Sequence, residues 1–496
     1  MKRIAIIGGG ISGMAAAYEL TLQQRAGAAI EFVLFEAASR LGGIVETVRR
    51  DEFAIECGPD SWVTEKPWAH ELAIELGLEN ELVPSNDDRR KTYIADGNAL
   101  TPMPDGMRMM VPTQLESVQN SPLFSDQAKL AYLREPQIAG QLKMCALDAH
   151  DCRRDESVRD FVLRHFGEEV TNTIAAPLLA GVFGGDIAKL SVRSVMPSFV
   201  ALEREYGSLI LGLQRRLQAG KASVSIFTTL RSGLGALITG MESFIPELTV
   251  QRNVAIKAIE NSGGVWRIHG IQNGDSPRVE ASFDAVLIAT PAGTTARLLQ
   301  SLDRRTAELL PQQSSSAIIV ALGFAADRAC SMRIPPGFGF LVRQSGVLAD
   351  HVGDVEGKLA HKRGNDAGRQ ALLACTFLNQ KFPHTAPDGA ILLRGFFGGL
   401  LAPTLLEHDD GRLIRLARTQ LERYLGKMPE PSVAVVRRWP NSLPLYEVGH
   451  AERMEELESR IAKLPGFRLI GNAYRGVGLP DLIQSGRAAA REIVVG

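Results

Sequence analysis

Hydrophobic positions along this chain recur with two distinct periods. Residues 3–7 form a short apolar run ended by glycines, residues 11–24 carry apolar side chains at helical spacing, and residues 30–35 form a second short apolar run. Short runs bounded by glycine suit strands and the longer periodic stretch suits a helix, so the opening predicts a β-α-β unit, the start of a doubly wound sheet. From about residue 105 to 220 the pattern is mostly helical, with stretches such as 158–166 and 196–217 broken repeatedly by Pro and Gly. Strand signals return at 248–258, 265–271 and 285–289, the last resembling a return to the first sheet. Further runs at 317–324, 338–342, 371–377 and 391–397 predict a second, antiparallel sheet, followed by a helix over 412–425. A strand at 467–470 and a helix over 480–494 close the chain, while 344–369 is polar and Gly-rich and predicts a long loop.

At 496 residues the chain exceeds one ordinary hydrophobic core, which predicts two or three packed domains and room to enclose a large cofactor. Lys plus Arg number 55 against 56 Asp plus Glu, so no net field draws the protein to nucleic acid. Its five cysteines include no C-x-x-C pair. They are read as small buried apolar residues in a reduced, cytoplasmic compartment, and no metal site is expected. The amino-terminal apolar stretch contains three consecutive glycines and no small-x-small cleavage pattern, which argues against a secretory signal. No run reaches the length of a membrane-spanning helix.

The first candidate chemistry is Gly8-x-Gly10-x-x-Gly13, placed after a strand and at the opening of a helix, with Glu36 at the end of the next strand. Gly8 allows a tight turn, Gly10 allows the backbone to approach a pyrophosphate, and Gly13 lets helix and strand pack closely. Ile11 and Ser12 lie in the first turn, where free N–H groups and the helix dipole favour phosphate. Glu36 is placed to accept hydrogen bonds from ribose hydroxyls. A dinucleotide fold of this kind leaves NAD(P) and FAD both open.

Additional motifs narrow the choice. Arg40-Leu41-Gly42-Gly43 resembles the Arg-x-Gly-Gly element of glutathione-reductase-like and amine-oxidase-like flavoproteins, and the stretch from Gly471 through Val477, Gly478 and Leu479 to Asp481 resembles their carboxy-terminal flavin motif. Four further stretches are similar to porphyrinogen oxidases: Glu56-Cys57-Gly58-Pro59-Asp60-Ser61, residues 177–191 around Gly181, Glu203-x-Glu205-Tyr206-Gly207-Ser208, and residues 337–342. This resemblance covers nearly the whole chain. It implies an α/β fold with a Rossmann-like FAD-binding domain from separated segments (1–88, 228–300, 430–496), an antiparallel-sheet substrate domain (89–104, 205–227, 301–429) and a mostly helical inserted subdomain (105–204).

The resemblance also implies non-covalent FAD, a tetrapyrrole substrate and molecular oxygen as reoxidant. A porphyrinogen, protoporphyrinogen IX or coproporphyrinogen III, would be oxidised in haem biosynthesis by repeated hydride transfer to flavin. Hydride transfer depends more on position than on acid–base side chains, and no catalytic side chain is assigned. Gly58, Pro59, Asp60 and Ser61 match the segment beside the flavin ring, Val254 a strand position whose backbone contacts adenine, and Trp439 an aromatic near the flavin. Gly181 matches a glycine that leaves room for the tetrapyrrole, and Leu341 and Phe396 match apolar clamps about a pyrrole ring.

One departure concerns the propionates. Eukaryotic members place an arginine where this chain has Thr92, with Arg89, Arg90 and Lys91 just before it. Arg90 or Lys91 is the expected substitute, since a cation pairs strongly with a carboxylate. Met103, Met107, Met109, Met110 and Val111 suit either a membrane-facing surface, with a peripheral location, or gap-filling in a core. Rival readings are a flavin amine oxidase or carotenoid desaturase and, outside catalysis, a flavin-free escort-like binding protein. Monomer and homodimer both remain open.

Overall fold

The computed structural model describes residues 1–148, 155–218, 225–272, 278–343 and 370–495. The predicted loop at 344–369, like Cys152, lies outside them. The opening unit is β1 (Lys2–Ile7), α1 (Ile11–Arg25) and β2 (Ile30–Phe35). β1 and β2 are parallel and belong to a five-stranded sheet, flanked by Val250–Gln251 on the β2 side and by Ala285–Ile288 and Phe467–Leu469 on the β1 side. Strands from opposite ends of the chain thus share one sheet.

β1 is buried on both faces, and its alternation sorts side chains between two cores. Ile4 and Ile6 pack with α1 and the terminal helix Leu479–Val495. Ala5 and Ile7 pack against an antiparallel meander, Val254–Ser262, Val265–Gln272 and Arg278–Phe283. α1 is enclosed rather than amphipathic, with every residue from Ile11 to Thr21 buried. Buried Glu19 on α1 accepts hydrogen bonds from Arg487 at 2.8 Å and Arg491 at 2.8 and 3.0 Å, tying the first helix to the last.

The second sheet has seven strands in the order Val433–Pro444, Ser314–Phe324, Ile391–Phe397, Leu372–Phe377, Gly339–Val342, Thr92–Asp96, Ala99–Pro102. It is mixed, not wholly antiparallel as expected, because Gly339–Val342 runs parallel to Thr92–Asp96. The chain segment between those strands is long enough to make a crossover, which a hairpin cannot. One face packs on helix Asp410–Leu425 through Tyr93, Phe340, Leu393 and Phe397. The alternate residues face the other way.

The region 105–218 is largely helical, with its own core around Tyr132, Phe161, Phe166 and Leu209. Two details depart from the pattern: a hairpin pairs Met107–Arg108 with Val111–Pro112, and a π-helical turn spans Thr171–Ala175 immediately before helix Ala176–Phe183. Met110 and Val111 are buried, and Met103, Met107 and Met109 pack partly buried against the same core. The methionines fill gaps in this subdomain, so the membrane-facing reading loses its support in them. No helix among the described residues is long and apolar enough to cross a membrane. Cys57 and Cys375 are buried as expected; Cys145 and Cys330 are exposed, correcting the expectation for those two.

Candidate functional site

The site begins where β1 ends. Gly8, at φ 107°, would place a Cβ 2.8 Å from the carbonyl oxygen of Ala289, and Gly13 would place one 1.9 Å from the carbonyl oxygen of Gly8. Both positions admit hydrogen alone. Gly10, which caps α1, is different: a Cβ there meets no protein atom within 4 Å among the described residues. Its missing side chain therefore opens space in front of the amino end of α1, where the Ile11 and Ser12 amides have no partner within the helix. This suits a diphosphate.

Glu36, expected to face ribose hydroxyls, is held in place by backbone amides around it. Its carboxylate accepts the Gly9 amide at 2.6 Å and the Ala38 amide at 2.7 Å, and its carbonyl accepts the Val254 amide at 2.9 Å. The Val254 side chain lies in the core, so only its backbone can face a ligand. Gly42 donates to the Gly9 carbonyl at 2.8 Å, bringing the Arg40–Gly43 loop against the glycine turn. Arg40 donates to the carbonyls of Leu41, Gly43 and Val45 and lies 5.6 Å from the Trp439 ring centroid. It braces the loop from within.

The groove continues past Gly58, whose Cβ would lie 1.9 Å from the Ile44 carbonyl oxygen. The indole N–H of Trp439 donates to the Cys57 carbonyl at 2.6 Å. From the carboxy-terminal motif, Asn472 donates to the Ser442 carbonyl at 2.8 Å and accepts from the Tyr446 hydroxyl at 2.7 Å. Asp481, in the first turn of the last helix, accepts from Lys66 at 2.6 and 2.7 Å and lies beneath Gly476 and Gly478. Gly471, Val477 and Gly478 stay partly exposed, while Leu479 is buried at the helix start. Hydrogen bonds and ion pairs thereby link segments 8–13, 36–46, 57–66, 437–444 and 471–481, which border the groove in front of α1.

Beside the groove, a half-buried part of the second sheet's other face forms a shelf, while the rest of that face packs against Phe53 and Ile55. Strand registers align Ile94, Leu341, Ala374 and Phe396 in one row and Thr92, Gly339, Thr376 and Arg394 in the next. Leu341, Ala374, Phe396 and Thr92 are only half-buried, although neighbours on the opposite face are fully buried. Gly181 faces this shelf from helix Ala176–Phe183, and among the described residues only the Leu341 side chain comes within 4 Å of a Cβ built on it. Leu341 and Phe396 flank one intervening strand, about 10 Å apart. That spacing admits the edge of a flat ring between them.

Arg90 and Lys91, just before Thr92, and Arg108 are half-buried, and among the described residues no carboxylate lies within ion-pair distance of any of them. Burial and the nearby Arg108 hold the Arg90 guanidinium below its ordinary range, against the pull of Asp87. Arg108 was not singled out from the sequence, since the hairpin that carries it lay within a region read as helical.

Two residues of greater consequence were also missed. Arg394 and Lys381, 1% and 8% exposed, both pair with Asp60 at 2.9 Å. Burial disfavours ionised Asp60, but the two cations more than offset it and hold its carboxyl well below the usual range. Nearby Glu56 accepts from Thr47 and the Leu234 amide, yet burial pushes its carboxyl up to about 7. Glu203 and Ser208, by contrast, belong to the helical core. With Glu135, Arg164 and His165 they form a buried network in which His165 bridges the two glutamates at 2.9 and 3.0 Å.

Residues 11–494 match the family model of flavin containing amine oxidoreductases. The chain belongs to that family. Its cofactor is FAD, and the glycine groove fits it: an open space at Gly10, free amides at α1 and a fixed carboxylate at Glu36. The chain is 32% identical to coproporphyrinogen III oxidase of Bacillus subtilis (strain 168), covering 99% of this chain and 97% of that one. It is 25% identical to protoporphyrinogen oxidase 2 of Arabidopsis thaliana, covering 99% and 94%. The crystal structure of a candidate protoporphyrinogen oxidase from Exiguobacterium sp. 255-15 superposes with a TM-score of 0.79 at 30% identity, covering 100% and 99%. Putrescine oxidase, at 15% identity and a TM-score of 0.65, shares the fold.

Proposed function

We propose that this flavoprotein oxidises coproporphyrinogen III to coproporphyrin III in haem biosynthesis. The observation that carries the reading is the half-buried apolar row of Leu341, Ala374 and Phe396 facing Gly181, with the cations Arg90, Lys91 and Arg108 just before and near its Thr92 end. A porphyrinogen has an apolar macrocycle and anionic propionates, and the shelf with its cationic edge complements both. Amines and carotenes lack that pairing of a broad apolar body with several carboxylates. Four propionates, rather than the two of protoporphyrinogen IX, make fuller use of the three cations. The relatives in Bacillus subtilis and Staphylococcus aureus, at 32% and 29% identity, carry the name coproporphyrinogen III oxidase.

On this reading residues 1–88, 228–300 and 430–496 hold FAD, residues 89–104 and 301–429 hold the substrate, and the helical region 105–218, which takes in the start of the stretch 205–227 expected with the substrate domain, covers it. Gly10, Ile11, Ser12, Gly42 and Gly43 receive the diphosphate, Glu36 the adenosine ribose, and Gly58, Trp439 and Gly478 the region of the ring. Bound flavin supplies hydride acceptance and reoxidation by oxygen. The protein's part is positional. Leu341 and Phe396 hold one pyrrole and the cations fix the propionates, so that one bridging carbon points into the groove. Each round removes a hydride from carbon and a proton from nitrogen to water, and three rounds with tautomerisation complete the porphyrin.

The test is aerobic turnover of the purified holoprotein with coproporphyrinogen III and protoporphyrinogen IX, followed by porphyrin fluorescence. A higher kcat/KM is expected for coproporphyrinogen III. No porphyrin above the autoxidation rate with either substrate would overturn the proposal.

A further inference from the structure

Asp60, Lys381 and Arg394 form an ion cluster directly behind the turn 58–61. One oxygen of Asp60 accepts from Lys381 and the other from Arg394, each at 2.9 Å. Lys381 also donates to the Ser61 hydroxyl at 3.0 Å, and Arg394 donates to the Gly58 carbonyl. The turn is therefore gripped through its backbone, its hydroxyl and its carboxylate. Lys381 lies 4.3 Å from the Phe227 ring centroid and 5.1 Å from that of Phe382, so its ammonium is walled by aromatic faces.

The charges within this cluster do not cancel. Two cations face one carboxylate, and burial pushes the carboxyl of nearby Glu56 up to about 7, so that below this pH it adds little negative charge. The Arg437–Glu46 pair on the far side of Cys57 is internally neutral. A surplus buried charge is costly unless a partner compensates it. Moreover, the Arg394 Nε is buried and has no hydrogen-bond partner among the described residues. Arg394 occupies the shelf face, one residue pair along its strand from Phe396. The protein thus places two cations on one carboxylate between shelf and groove, where hydride transfer to the flavin would deliver a negative charge.

We infer that Lys381 and Arg394, fixed by Asp60, are positioning residues that favour the reduced, negatively charged form of the bound flavin and so set its reduction potential. The inference rests on the flavin reading of the groove but not on the identity of the substrate. Hydride transfer delivers two electrons and one proton to the flavin, leaving one net negative charge there for the cluster to stabilise. Oxygen later removes both electrons.

Because the two signs of charge act oppositely, the test is a pair of variants. The midpoint potential of the bound flavin is measured in purified holoprotein by dithionite titration against a reference dye, without any porphyrinogen. Lys381→Met is expected to weaken the preference for reduced flavin at least tenfold, a fall of about 30 mV for a two-electron couple. Asp60→Asn, which strips the counter-charge, is expected to raise the potential, and Arg394→Lys to leave it within that margin. Shifts of Lys381→Met and Asp60→Asn in the same direction, or no shift in either at full FAD occupancy, would overturn the inference. Should Lys381→Met fail to retain flavin, Asp60→Asn alone decides: a rise supports the inference, and a fall or no change overturns it. Loss of porphyrinogen turnover with the predicted shifts intact would count against the substrate reading only.

Discussion

Leu341 and Phe396 project from the same face of the seven-stranded sheet and share a cross-strand row, with only the methyl group of Ala374 between them. A gap between two large apolar side chains, floored by a small one, is the shape that grips the edge of a planar ring. Ala374→Leu fills that gap without touching the flavin groove. Steady-state kinetics should show kcat/KM falling at least tenfold, about 1.4 kcal/mol, with FAD content and thermal stability close to wild type.

The cationic edge of the shelf bears on substrate choice. Arg90→Ala, Lys91→Ala and Arg108→Ala should raise KM more than they lower kcat, because the propionates lie far from the reacting carbon. A lost charge-assisted bond is worth about 1.5–3 kcal/mol, or roughly 10- to 100-fold in KM. The effect should be larger for coproporphyrinogen III than for protoporphyrinogen IX. Unchanged kinetics in all three variants would remove these residues from the site.

The glycines of the groove separate folding from cofactor binding. Gly13→Ala places a methyl group 1.9 Å from a backbone oxygen and should destabilise the protein with or without FAD. Gly10→Ala meets no atom of the described residues, so the apoprotein should melt at the wild-type temperature while its affinity for added FAD drops. Flavin fluorescence quenching measures the second effect and calorimetry the first.

Glu56 gives stability a pH dependence of its own. Burial raises its carboxyl from 4.5 to about 7, a difference worth roughly 3 kcal/mol. The native state keeps a proton that the unfolded chain releases, so this contribution is fully present below about pH 4.5 and is lost as pH rises to about 7. Glu56→Gln cannot titrate. Urea unfolding should therefore show the variant gaining stability relative to wild type between pH 5 and 8, and a constant difference across that range would contradict the assignment.

Much of this architecture was legible in local pattern. The runs at 30–35 and 391–397 became strands with those limits, and Gly8, Gly13 and Glu36 converge because each is dictated by steric or hydrogen-bonding needs of its own turn. Charge pairing across the chain left no such trace. Lys381 and Arg394 lie more than 300 residues from Asp60, and although the apolar run around Arg394 marks it as buried, nothing local names its partner. The parallel pairing of Thr92–Asp96 with Gly339–Val342 was hidden for the same reason, since strand direction depends on a crossover and not on composition. Cys145 and Cys330 were misplaced because the general tendency of cysteine to be buried says nothing about a given helix face.

The proposed chemistry turns on a single step, the passage of electrons from a porphyrinogen on the shelf to flavin in the adjoining groove. Stopped-flow mixing of oxidised holoprotein with coproporphyrinogen III under strict anaerobiosis isolates that step, with the visible flavin absorbance as the signal. The band should bleach on mixing and return when oxygen is admitted, as porphyrin absorbance appears. A flavin band that persists with coproporphyrinogen III and protoporphyrinogen IX alike, in protein that dithionite reduces readily, would contradict electron transfer between the two sites.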